Sequence, residues 1–137
     1  AGLTHVFPRP EDLMSADLTT LGMPRRRAAT LTSLAAAVVA DPQVLGAGRS
    51  LTECVAQLCA LPGIGEWTAQ YIAMRELREP DALPAGDIGL LRAMTGADGK
   101  RPTPRELLAR AERWRPWRAY AAQHLWASGM PRQPVGA

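Results

Sequence analysis

Three groups of residues in this sequence have the types and spacing to do chemistry. The first is Leu61-Pro62-Gly63-Ile64-Gly65, followed at once by Glu66-Trp67-Thr68-Ala69-Gln70-Tyr71. Pro62 fixes one φ angle, and Gly63 and Gly65 are free to take φ > 0. The expectation is a helix, a tight glycine hairpin and a second helix. Backbone N–H groups of such a hairpin and the N-terminus of its second helix point the same way, an array that suits an anion, most often a phosphate. A compact helix–helix turn without a ligand uses the same residues. The second group is Asp87, set before the apolar run Ile88, Leu90, Leu91 and Met94. Aspartate is the expected N-cap there, and a carboxylate at a helix N-terminus stays ionised at neutral pH because the dipole and the N–H groups favour its charge. The third group is aromatic. Trp67 and Tyr71 are i, i+4 neighbours on one helix face. Trp117, Tyr120, Ala121, His124 and Leu125 form an apolar stripe on the last helix, and Trp126 lies about 180° from Trp117, off that stripe.

These groups need helices to hold them. Pro10 to Ser15 reads as a short helix and Asp17 to Leu21 as another, stopped by Gly22. Pro24 opens a long helix that ends at Asp41-Pro42, with Ala28, Leu31, Leu34, Ala35 and Val38 on its buried face. Arg25, Arg26 and Arg27 occupy its first turn, poorly placed for the dipole, and read as solvated or as meeting a phosphate. Asp41 to Arg49 reads as a loop. Ser50 with Glu53 is a capping box for the helix that carries Leu51, Val55 and Leu58 into the hairpin. The second hairpin helix runs from about Glu66 to Leu77. Thr103-Pro104-Arg105-Glu106 is a second capping box, with Pro at N1. Its helix is expected to end near Trp114, and Pro116 to start the last one, closed by Gly129. Trp114, Trp117 and His124 are assigned to packing. No segment alternates as a strand does, so the fold class is all-α.

Composition narrows the function. The chain has 137 residues, 47% of them hydrophobic, enough for one domain with a single core. No stretch approaches the ~20 apolar residues that span a bilayer, and no signal peptide is evident. A cytoplasmic protein without membrane contact is expected. Cys54 and Cys59 sit five apart on different helix faces, which disfavours a disulfide or metal site between them and predicts buried thiols. Two cysteines also exclude a four-cysteine iron–sulfur cluster within the chain. His5 and His124 do not suggest a metal site. No cofactor is expected. The net charge of +3 is uneven: residues 101–137 carry seven arginines against two acids, which is what a phosphate-binding surface needs.

Leu61 to Gly65 and the helix after it resemble the helix-hairpin-helix of DNA base-excision glycosylases. Leu83-Pro84-Ala85-Gly86-Asp87-Ile88-Gly89-Leu90 resembles the segment that carries that superfamily's catalytic aspartate. Arg113-Trp114-Arg115-Pro116-Trp117-Arg118-Ala119-Tyr120-Ala121 and His124-Leu125-Trp126 resemble the C-terminal helix of one branch, DNA-3-methyladenine glycosylase II. The resemblance runs from about Phe7 onward. It implies the helix-hairpin-helix glycosylase bundle over 1–137, with the family's upstream β-rich domain and first helices absent.

The resemblance also implies roles. Asp87 is the catalytic carboxylate, an anion that stabilises the positive charge built on the deoxyribose as the N-glycosidic bond breaks. Trp67, Tyr71 and Trp126 line an electron-rich pocket, whose aromatic faces attract a cationic alkylated purine by ~0.5–2 kcal/mol. Amides near Gly63, Gly65 and Thr68 bind DNA phosphate, and the backbone carbonyls of Cys59, Leu61 and Gly63 hold a monovalent cation only when DNA is bound. The strand-cutting branch carries a lysine nucleophile at position 67. Here it is Trp67, so a monofunctional enzyme is implied. Ile88 stands where the family often has an aromatic, which implies a less enclosed pocket. The implied partner is double-stranded DNA containing alkylated bases, with an upstream domain or chain completing the fold. Two other functions fit parts of the pattern: a non-catalytic DNA-binding module, which needs only the hairpin, and a glycosylase for a neutral lesion, whose pocket would need hydrogen-bonding groups.

Overall fold

The structure, a computed structural model, describes residues 2–46 and 48–129, and these contain helices and turns but no strand. They fall into two compact units, Ala1–Gly65 and Glu66–Ala137, with the boundary inside the expected hairpin.

In the first unit, α1 (Pro10–Ser15) packs on α2 (Arg25–Ala40). A 3-10 turn, Leu18–Leu21, lies between them, capped by Asp17 and stopped by Gly22 at φ 73°. Ala28 and Ala35 are the buried residues of α2. They lie two helical turns apart, so the helix buries a narrow line of small side chains. Leu31, expected inside, is exposed, and Leu34 and Val38 are only half-buried. Arg25, Arg26 and Arg27 are exposed. The segment read as a loop after Asp41 contains a 3-10 turn, Pro42–Leu45, because the Asp41 side chain accepts from the Gln43 N–H at 2.9 Å and Pro42 supplies a suitable φ. Helix α3 (Leu51–Cys59) starts with both halves of the Ser50/Glu53 capping box in place. Cys54 is buried on it, whereas Cys59, expected to be buried, is exposed at its last residue, five positions on and on another face.

The second unit holds α4 (Glu66–Arg75), α5 (Ile88–Ala93), α6 (Pro104–Ala111) and α7 (Arg118–Gly129). Its core is built around Leu90 and Leu107 and the alanines Ala69, Ala73, Ala111 and Ala122, all fully buried. Helix α6 is opened by the Thr103/Glu106 capping box, and after Ala111 it tightens into a 3-10 turn, Glu112–Trp114. Pro116 does not start the last helix. Residues 114–117 form a turn closed by the Trp117 N–H on the Trp114 carbonyl at 2.7 Å, and α7 begins at Arg118.

Helix α7 packs against α5. The face that it buries corrects the expected aromatic stripe: Ala119 and Ala122 are inside, while Trp117 and Tyr120 are 58% and 59% exposed and His124 is also exposed. Trp117 therefore does not pack into the core. It meets Tyr120 edge-on instead, with centroids 5.7 Å apart. Helices approach closely where side chains are small, and Ala119, Ala122 and Trp126 follow one another at i, i+3 and i+7. That line carries Trp126 to the N-terminus of α5.

Candidate functional site

Asp87 is the residue on which the second unit's polar contacts converge. It is the N-cap of α5, and its Oδ1 accepts the Leu90 N–H at 3.0 Å. Both carboxylate oxygens are also held by tryptophans: the Trp126 indole N–H donates to Oδ1 at 2.8 Å, and the Trp67 indole N–H donates to Oδ2 at 3.0 Å. Burial works to raise the Asp87 pKa, but it is outweighed by the donors Trp126, Leu90, Trp67 and Gly89, so the carboxyl lies below its ordinary 3.8. The group is a fixed anion at neutral pH. The cap expected from the sequence and the ionised carboxylate are thus one feature.

The same two tryptophans carry the aromatic surface. On α4, Trp67 and Tyr71 are stacked, with centroids 5.2 Å apart and planes 8° from parallel. Trp126 meets Tyr71 edge-on at 6.2 Å and 61°. Arg75, one turn further along α4, places its guanidinium 5.9 Å from the Tyr71 centroid. Trp67 is 43% exposed, and Tyr71, Trp126 and Asp87 are half-buried. Ile88, beside the carboxylate, is 56% exposed. A cleft of about 250 Å³ runs along Trp67 and is lined further by Gln70, Pro84, Gly86 and Leu108. The arrangement places an anion at the edge of open aromatic faces, and such a site can attract and stabilise positive charge.

The loop before Asp87 is held at two points that the sequence reading missed. Gln70 on α4 accepts the Leu83 N–H at 3.0 Å. Asp81 takes the Arg118 guanidinium as a fork, Nε to Oδ1 at 2.7 Å and a terminal nitrogen to Oδ2 at 2.9 Å, and it also receives Arg115. Arg118 is 6% exposed. A signal for this pair was available, because an arginine in the first turn of a helix is opposed by the dipole unless something compensates it. Arg115 and Arg118 also meet Glu112, so two arginines of the basic C-terminal segment are engaged internally.

The hairpin residues divide between the two units, Leu61 to Gly65 in the first and Glu66 onward in the second. In the first unit the turn after α3 is closed by the Ile64 N–H on the Leu61 carbonyl at 3.1 Å. Gly63 has φ +87°, and a Cβ there would lie 2.0 Å from Thr30 Oγ1, so both conformation and space require glycine. Gly65, expected to use the same freedom, is not in the left-handed region, and a Cβ there would meet nothing within 4 Å. Conformation does not explain that glycine. Thr68 is half-buried in the first turn of α4. Among the described residues no group of three or more His, Cys, Asp or Glu could hold a metal ion, and no helix is long and apolar enough to cross a membrane.

Residues 1–119 match the family described as HhH-GPD superfamily base excision DNA repair protein. A Mycobacterium tuberculosis protein named probable bifunctional transcriptional activator/DNA repair enzyme AlkA is 45% identical over 126 residues, which is 92% of this chain and 25% of that protein. DNA-3-methyladenine glycosylase 2 of Escherichia coli is 36% identical over 123 residues, 88% of this chain and 42% of that enzyme. This chain therefore spans between a quarter and a half of the length of these two relatives. Among solved structures, the Schizosaccharomyces pombe 3-methyladenine DNA glycosylase Mag1, in complex with abasic DNA, matches with a TM-score of 0.78 at 25% identity, over 92% of this chain and 67% of that one.

Proposed function

This chain belongs to the HhH-GPD superfamily of base excision DNA repair proteins, and from that premise we propose that it is the working part of a monofunctional glycosylase that hydrolyses the N-glycosidic bond of alkylated purines in duplex DNA. One observation carries the reading: a carboxylate held by two indole N–H groups and a helix N-terminus, at the edge of a stacked Trp67–Tyr71 pair. A 3-methyladenine or 7-methylguanine nucleotide, flipped from the stack, brings a cationic base to those faces. The bond from C1′ to the base nitrogen breaks, and the base leaves as a neutral molecule with the bonding electrons. Positive charge passes to the sugar, where Asp87 stabilises it. Water oxygen bonds to C1′ and its proton goes to solvent. Asp87 Oδ2 accepts the Trp67 indole N–H, and a carboxylate oxygen has a further lone pair with which to orient that water.

The absence of strand cutting rests on Trp67, since the chain's only lysine is Lys100, exposed in a loop. Gly63, Gly65 and Thr68 are assigned to DNA phosphate, and the carbonyls of Cys59, Leu61 and Gly63 to a monovalent cation bound together with DNA. The bare backbone at Gly65 fits close approach by a phosphate. The relatives' names, DNA-3-methyladenine glycosylase among them, support the substrate class.

The test is base release from methylated duplex DNA by the full-length protein and its Asp87→Asn variant. Asparagine caps a helix as well as aspartate, so the fold is expected to persist, with release of 3-methyladenine reduced by about 10²–10³-fold. DNA binding without release by the unaltered protein would make this a binding module. Release of uracil or mismatched bases in place of alkylated purines would overturn the substrate class.

A further inference from the structure

On the reading of Asp87 given above, we infer that Gly89 is a positioning residue: the missing side chain at this point of α5 is what lets the Trp126 indole close on the Asp87 carboxylate. Gly89 is the second residue of α5 and does not adopt the left-handed conformation. Its backbone therefore does not require glycine, and alanine is the better helix former. Crowding supplies the reason. A Cβ on Gly89 would lie 2.9 Å from Asp87 Oδ1, 3.1 Å from Trp126 Cδ1 and 3.3 Å from Trp126 Nε1. None of these atoms is the loose end of a flexible side chain. Oδ1 is tied to Leu90 and Trp126, and the Trp126 ring is set against Tyr71 on a helix that packs on α5. Gly86, three residues earlier, has open space where its Cβ would be, so crowding is not general to this loop.

The space at Gly89 belongs to the aspartate–tryptophan contact. A methyl group there displaces the indole or turns the carboxylate by a few tenths of an ångström. Gly89 acts through Asp87 and Trp126 and touches no reacting atom itself. The Trp126 donor to Asp87 is then weakened, so the carboxylate becomes easier to protonate and its position against the sugar changes.

The experiment compares full-length protein with its Gly89→Ala variant by three readouts: melting temperature, single-turnover base release against pH with DNA affinity measured separately, and the indole N–H resonances of Trp67 and Trp126 followed by NMR through an acid titration. The expected result is an unchanged or higher melting temperature, unchanged affinity and about a tenfold slower chemical step. The acid limb of release moves to higher pH, and the Trp126 resonance is displaced while that of Trp67 still follows the aspartate. In a Trp126→Phe background, which has no indole N–H to lose, Gly89→Ala is expected to add little further loss. The inference is overturned if rate, acid limb and Trp126 resonance are all unchanged. It is equally overturned if the whole effect falls on DNA affinity, or if the variant melts well below the parent, because the glycine would then serve DNA approach or helix packing. Should the unaltered protein release no base, the glycosylase reading falls, and the resonances still decide the role of Gly89.

Discussion

Replacing Arg118 tests whether the loop that presents Asp87 is braced by an ion pair. The Arg118 side chain is 8% exposed and that of Asp81 18%. The guanidinium makes a two-point fork on the carboxylate, at 2.7 and 2.9 Å, and its Nε also donates to the Asp81 carbonyl at 3.1 Å. Removing one member of a buried pair costs about 3–5 kcal/mol, because the other is left charged and poorly solvated. Two features reduce the figure here: Asp81 keeps Arg115, and it retains some access to water. Arg118→Met, which keeps the length and apolar contact of the stem, is expected to cost about 2–3 kcal/mol. Arg118→Lys keeps the charge and gives up the fork, and about half that loss is expected. Equilibrium urea unfolding of both variants and of Asp81→Asn/Arg118→Met gives the free energies. The double variant should recover part of the loss, since no uncompensated charge remains. A cost below about 0.5 kcal/mol for Arg118→Met, or no difference between Lys and Met, would refute the reasoning.

Other outcomes follow from the same geometry. Asp87 has a depressed folded-state pKa, so its contribution to stability is present above its unfolded value and is lost as pH falls through the folded one. The specificity constant for base release should therefore show no Asp87 limb between pH 5 and 7, and Trp126→Phe should move the acid limb upward; a wild-type limb near pH 6 assigned to Asp87 contradicts this. Gly63→Ala meets both a left-handed φ and Thr30 and should cost more than about 1 kcal/mol in urea unfolding, whereas Gly65→Ala should leave stability unchanged and weaken DNA binding in a titration. Borohydride should trap no covalent complex with damaged DNA, because Trp67 cannot form an imine; a trapped band would overturn the monofunctional reading.

Much of this was legible in the sequence, for identifiable reasons. Capping residues act within four positions of chain, and so Ser50, Thr103 and Asp87 are found where their spacing predicts. Trp67 and Tyr71 stack because i, i+4 neighbours share a face. What failed depended on partners distant in sequence. Hydrophobicity placed Trp117 and His124 inside, but close approach of α7 to α5 selects the alanine line instead. Spacing along one chain could not reveal that the tryptophans of the aromatic group are also the hydrogen-bond donors to Asp87, since that depends on how α4, α5 and α7 meet. The Asp81–Arg118 pair spans 37 residues and is invisible to local rules apart from the dipole mismatch at Arg118.

The internal use of Arg115 and Arg118 carries over to how ionic strength should act on DNA binding. Each arginine that neutralises a phosphate releases condensed counterions and adds about 0.9 to the slope of log affinity against log salt. An arginine already neutralised by Asp81 or Glu112 releases none. Of the seven arginines in residues 101–137, five are left once Arg115 and Arg118 are set aside, so this segment contributes a slope of at most about 4.5. The formal charge of the segment overstates its hold on DNA, and binding should survive salt better than a count of its arginines suggests.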